Sequence, residues 1–200
     1  MSTKFLRRGG RAVAATLILS LALTGCGSDD PAPAAQQAPA ESTVPVTKPF
    51  SGTRPTNVKI PKIGAESNLI AVAVDKDGKM AVPSAKKPMQ AAWYQLSPVP
   101  GDVGPAILLG HVDGNKQPGI FFKLKDVNPG DEILVDRSDG KSLKFVVEKK
   151  DQVPKDQFPE DAVYGNTDKP QLRLITCGGV FDKEEHSYKD NVIVYANLVA

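Results

Sequence analysis

The chain has 200 residues, enough for one domain and a leader but short for two full domains. Its 25 Lys and Arg stand against 23 Asp and Glu, but Lys4, Arg7, Arg8 and Arg11 all lie in residues 1–25, where there is no acid; the rest holds 21 basic and 23 acidic residues, a net charge of −2. That balance offers no electrostatic footprint for nucleic acid, and the two cysteines, Cys26 and Cys177, are too few for a disulfide framework.

In chain order, the basic N-terminus leads into an apolar stretch from Ala12 to Leu23 and then into "LTGC" at 23–26. Twelve apolar residues are short for a helix that crosses a bilayer and match the apolar region of a signal peptide. The "LTGC" segment resembles a bacterial lipobox, in which the cysteine is diacylated. Cys26 is therefore expected to carry lipid and to tether the chain to the outer face of the membrane, with an uncleaved signal anchor as the alternative. Residues 27–57 hold six prolines and almost no periodic apolar residues, the composition of a disordered linker. The expected divisions are 1–26, 27–57 and 58–200.

From Val58 onward the texture is one of short strands separated by turn residues. Candidate strands are "NVKIPKI", "NLIAVAV", "MAV", "AILLGH", "EILV", "LKFVVE", "LRLITC" and "NVIVYANL". "KDGK" (76–79), "SDGK" (138–141) and "NPGD" (128–131) read as turns. Helical periodicity is confined to two short turns in "GIFFKLKDV" (119–127) and one in "PEDAVYG" (159–165). About eight strands in a domain of this size predict a mainly β fold, an eight-stranded closed or nearly closed barrel, long enough for one core.

The stretch "LRLITCGG" (172–179) delivers Cys177 to a pair of glycines. Alternation puts Arg173, Ile175 and Cys177 on one face and Leu172, Leu174 and Thr176 on the other. A free cysteine in an exported chain can be a buried filler. His111, ending "AILLGHVDG" as Cys177 ends its own strand, points instead to a nucleophile and base, because a thiol attacks as thiolate and imidazole stabilises that form. Attack on an acyl group builds an oxyanion that needs donors. Lys189 opens the last strand within reach of such a site, after the polar loop 178–188, whereas Arg173 lies roughly 13 Å back along the backbone from Cys177.

Together, "AILLGHVDG", "PGDEILV", "LRLITCGGVFD" and "YKDNVIVYA" resemble the sortases, most closely their actinobacterial class F group, over residues 58–200. The resemblance implies an eight-stranded β-barrel and a cysteine transpeptidase. Such an enzyme cuts a C-terminal sorting signal of LPXTG type on surface proteins, holds the product as a thioester, and passes it to an amine of the cell envelope. Cys177 matches the family nucleophile and His111 the family histidine. Similar sequences read "YRDN" where this chain reads "YKDN", so Lys189 takes the position of the family arginine, with Arg173 as a fallback. A lysine keeps the charge but loses the planar fork of donors. No cofactor is implied. A zinc site from His111, Asp113, Cys177 and His186 lacks close-spaced ligand pairs, and "ITCGG" lacks the surroundings of an L,D-transpeptidase cysteine. The rival reading is a non-catalytic sortase-like lipoprotein that binds a peptide or envelope component. Trp93, Tyr94, Phe121 and Phe122 are candidates for a groove or, more simply, for the core.

Overall fold

Two kinds of strand pairing build this protein, and the sequence pattern differs between them. The computed structural model describes residues 52–199; the expected leader, Cys26 and the linker up to residue 51 lie outside the described residues. Strands β1 (Pro55–Ile60), β2 (Ala65–Val72), β3 (Ala91–Tyr94), β4 (Gly104–Leu109), β7 (Glu132–Arg137), β8 (Ser142–Pro154), β9 (Pro170–Asp182) and β10 (Ser187–Leu198) close a barrel in the order β1-β2-β3-β4-β9-β10-β8-β7. A small hairpin, β5 (Asp113–Gly114) and β6 (Gln117–Pro118), stands apart from it. The one α-helix, α1 (Glu160–Tyr164), and 3-10 turns at Pro61–Ile63, Leu124–Asp126 and Lys155–Gln157 complete the described elements. The mainly β, eight-stranded barrel expected from the sequence is the fold observed.

Most neighbours are antiparallel, but β2 pairs β3 and β4 pairs β9 in parallel. Every residue of β4, "GPAILL", is buried. Its apolar run does not alternate because both faces are covered, as is usual for parallel strands. The core inside the barrel is built from Trp93, Leu108, Phe145, Leu172 and Leu174 on the strands, with Phe121 from the turn after β6 packed among them. The outer face of the sheet carries a second cluster, including Ala92, Ile107, Leu109, Ile175, Ile193 and Tyr195, which α1 covers through Val163 and the β2–β3 connection covers through Ala81.

Two local expectations are corrected. "MAV" (80–82) forms no barrel strand: Met80 makes only an isolated bridge to Val74, inside the β2–β3 connection. Parallel strands need a long crossover, and residues 73–90 supply it. The third barrel strand is instead "AAWY", four residues without alternation and with two alanines of low β-propensity. The polar loop read at 178–188 is mostly hairpin, since β9 runs on to Asp182 and β10 begins at Ser187. Tyr188 pairs with Phe181 and Asp190 with Gly178, so Lys189 faces two residues of β9, a bulge at Gly179–Val180. Gly179 makes this possible with φ of 74°, and a Cβ there would collide with the Asp190 carboxylate. Strand β1 starts at Pro55, within the stretch read as linker.

Leu174 is fully buried at the centre of β9 and packs in the barrel interior. Leu174→Ala is expected to cost about 2–5 kcal/mol through lost apolar contact and the cavity left behind. Chemical denaturation of both forms measures the difference; a loss under about 1 kcal/mol would mean the interior collapses around the deletion.

Candidate active site

The parallel pairing of β4 with β9 ends at Leu109 and Ile175, and Gly110 N–H donates to the Ile175 carbonyl at 3.3 Å. His111 and Cys177 each lie two residues beyond that last pair, on adjacent strands running the same way. The chain after His111 then turns off. Phe121 N–H donates to the His111 carbonyl at 3.0 Å and Gly119 N–H to that of Val112 at 2.9 Å. Gly119 is required here because a Cβ would run into the His111 carbonyl group. Beyond it, Asn115 and Lys116 take φ of 47° and 60° to close the β5–β6 hairpin tightly.

The His111 ring is held as well. Its Nε2 lies 2.5 Å from the Pro83 carbonyl oxygen, in the β2–β3 crossover. Cys177 is half-buried and forms no disulfide. By alternation it shares the face of Ile175 and Ile193, and it pairs with Asn191 on β10. It opens on a small pocket of about 130 Å³ whose other lining residues include Val112, Phe122, Lys125, Gln152 and Tyr188. Thr176, beside it and 4% exposed, has a buried Oγ1 with no hydrogen-bond partner. Buried hydroxyls are normally satisfied, and this one is an exception.

Tyr188 was not singled out from the sequence. Its phenol donates to Asp113 Oδ2 at 2.5 Å, and its ring meets Phe181 edge-on at 5.1 Å. The bond joins the hairpin that follows Cys177 to the one that follows His111. The Asp113 hydrogen bond first, then burial, the Asp113 charge and the nearby Cys177 together push the Tyr188 phenol up to about 12.

The two cations proposed for the oxyanion are placed differently. Neither lines the Cys177 pocket. Lys189 is 63% exposed at its side chain and pairs with Asp182 at 3.3 Å, in a separate concavity with Lys155, Ser187 and Asp190. Asp182 is held below the usual carboxylate range by the backbone N–H groups of Glu185 and Glu184 and then by Lys189. Arg173 is 5% exposed. It donates to Gln171 Oε1 at 2.5 Å, to the Leu172 carbonyl at 3.2 Å and to that of Ala162 in α1 at 3.4 Å, and it lies 4.6 Å over the Tyr195 ring. Burial pulls its guanidinium below the ordinary value. The cation that does line the pocket is Lys125, 5.9 Å over the Phe122 ring, a residue no sequence motif marked.

His186 is exposed at the β9–β10 turn with φ of 47°. No three His, Cys, Asp or Glu side chains among the described residues converge as metal ligands would. Trp93 and Phe121 are core residues, whereas Phe122 is partly exposed beside Cys177. Tyr94 lies farther along the same outer face, in a cleft of about 520 Å³ with Met80, Ile107 and Tyr164.

The Tyr188–Asp113 bond has a pH signature. A raised phenol keeps its proton more firmly in the folded state, so the contribution is complete below pH 10.0, the ordinary value, and is lost as pH rises through about 12. Ultraviolet titration of the tyrosines is expected to show this one titrating late, and Asp113→Asn to bring it back toward 10.0. An unchanged curve in the variant would assign the shift to burial alone.

The sortase domain model matches residues 58–199. Among solved structures, the fold is similar to a lid mutant of sortase A from Corynebacterium diphtheriae, with 22% identity and a TM-score of 0.58 over 76% of this chain and 74% of that one. It is similar also to sortase C-1 from Actinomyces oris, with 19% identity and a TM-score of 0.56 over 72% and 71% of the two chains. Against sortase C1 of Streptococcus agalactiae in complex with MTSET, identity is 17% and the TM-score 0.56, with 72% of this chain covering 66% of that one. In a further sortase A from Corynebacterium diphtheriae this chain spans 60% of the length. Identities at this level speak to the fold alone. Comparison with curated proteins gives no match. On the match across the whole barrel, this chain belongs to the sortase family.

Proposed function

We propose that the chain is a cysteine transpeptidase of the class F type, lipid-anchored through Cys26 at the outer face of the membrane. It would cut an LPXTG-like sorting signal of surface proteins and transfer the product to an amine of the envelope. The observation that carries this reading is the parallel β4–β9 register, with His111 and Cys177 each two residues past its last pair.

In the proposed reaction the Cys177 thiolate attacks the carbonyl carbon before the scissile bond, forming the S–C bond. As the C–N bond breaks, the imidazolium of His111 gives its proton to the leaving amine. The acceptor amine then attacks the thioester, loses a proton to His111, and releases the thiolate. No cofactor enters these steps. The oxyanion is met by backbone N–H groups near Cys177, where β9 has outrun β4, together with a cation. Lys189 is the first candidate for that cation. Its exposed pair with Asp182 holds it weakly, because water screens such contacts and both side chains lose freedom in making them. A swing toward the thiol is therefore inexpensive. The same ion pair is the one observation favouring the non-catalytic alternative, a peptide-binding lipoprotein.

An LPXTG-type peptide library, with trapped acyl-enzyme detected by mass, tests the reading. Wild type is expected to gain an acyl group on Cys177, and Cys177→Ala to cleave nothing while melting normally. Cleavage within tenfold of wild type by that variant would remove the thiol from the mechanism. Lys189→Ala is expected to lose roughly a hundred- to a thousandfold in kcat/KM, the usual effect of deleting one oxyanion donor, and Lys189→Arg to retain or raise activity. Arg173→Ala is expected to lower the melting temperature more than it lowers turnover. A normal Lys189→Ala enzyme beside an impaired Lys125→Ala would move the role to the pocket's own lysine.

A further inference from the structure

We infer that the main-chain carbonyl of Pro83 is the orienting partner of His111. It holds the ring proton on Nε2 and leaves Nδ1 as the nitrogen that exchanges protons with Cys177 and the leaving amine. The inference rests on the transpeptidase reading above and adds a third group to its site, one contributed by the β2–β3 crossover.

A carbonyl oxygen only accepts hydrogen bonds. At 2.5 Å from that oxygen, His111 Nε2 must carry the hydrogen. In neutral imidazole one nitrogen is donor and the other acceptor, so Nδ1 holds the free lone pair. No hydrogen bond from a described residue is seen at Nδ1, whose lone pair is therefore free to take a proton in the proposed step. When it does, the ring becomes a cation and the Nε2–H bond to Pro83 becomes charge-assisted and stronger. The carbonyl therefore favours the imidazolium that the first step needs. A carboxylate plays this part in Ser-His-Asp sites; a neutral carbonyl fixes the tautomer with a smaller effect on charge.

The oxygen is not free to drift. Ala81, two residues before Pro83, is buried in the outer-face cluster with Ile107, Leu109 and Ile175. Its N–H donates to the Ala73 carbonyl at 2.9 Å, and downstream Lys87 N–H donates to Ser84 and Ile120 N–H to Pro88, both at 2.9 Å. The last of these ties the crossover to the same turn that holds the His111 main chain. Proline fixes its own φ, which restricts the carbonyl further. During the proposed reaction one proton moves from Sγ to Nδ1 and then from Nδ1 to the leaving nitrogen, while the other hydrogen stays on Nε2, donated to the Pro83 carbonyl.

Replacing the Pro83–Ser84 amide by an ester in the full-length protein weakens this acceptor without changing the His111 side chain. Lactic acid at position 84 is compared with Ser84→Ala, and the backbone N–H that the ester deletes makes no hydrogen bond among the described residues. Two readouts are taken. Heteronuclear NMR of nitrogen-labelled histidine, with His186→Gln to leave one signal, reports the His111 tautomer whether or not a substrate is known. Acyl transfer from the peptide found above to an acceptor amine reports kcat and KM separately. The expected result is the Nε2–H tautomer in the amide form, a shift toward mixed tautomers in the ester, and a fall of roughly tenfold in kcat with KM unchanged. An Nδ1–H tautomer in the amide form, an ester with unaltered tautomer, or an altered tautomer with unaltered kcat would each overturn the inference. So would a rise in kcat, which would make the Pro83 contact a restraint on His111. If no peptide is cleaved but the tautomer behaves as expected, the transpeptidase reading fails while the contact stands.

Discussion

The pairing of β4 with β9 in parallel is the constraint from which the site follows. Two strands that run the same way bring residues at equal distances past their last hydrogen bonds to the same end of the sheet. An antiparallel pair would have sent His111 and Cys177 to opposite ends. The pairing holds because both faces of β4 are buried, one in the barrel and one beneath α1 and the crossover. The placement of His111 and Cys177 thus depends on apolar packing on both sides of one short strand.

The second parallel pair has a different consequence. Joining β2 to β3 in the same direction demands a long return, and that return crosses the outer face beside the site. It buries Ala81 over Ile107, Leu109 and Ile175, and it brings a carbonyl to the His111 ring. A segment required by topology therefore also supplies part of the polar surroundings of the histidine.

Much of this was legible in the sequence. Turn residues between β-rich runs revealed the barrel, and His111 and Cys177 stood out because each ends an apolar run with the spacing of a known family. What escaped notice did so for physical reasons. Strand β3 reads "AAWY", with neither alternation nor β-branched residues, and is a strand only because its neighbours bury both its faces. The hairpin beyond Cys177 looked like a loop because two glycines usually interrupt a strand, whereas here Gly179 accommodates a bulge and pairing resumes. The Pro83 carbonyl has no signature at all, since every residue carries one. Tyr188 and Asp113 are 75 residues apart and meet only through tertiary structure.

Closure of the barrel also governs how an extended peptide can be read. Inside the ring each strand already has a neighbour on either side, so a visitor finds no edge to extend and cannot be recognised there by strand addition. Selection of the proposed substrate would then come from side chains and from the walls built by the crossover and α1. Main-chain recognition is open where a strand outruns its partner, and β9 does so past Leu109, at Cys177 itself. In the proposed reaction, backbone bonding and bond breaking would thereby fall on the same few residues, and a peptide would be held firmly only in the register that presents it to sulfur.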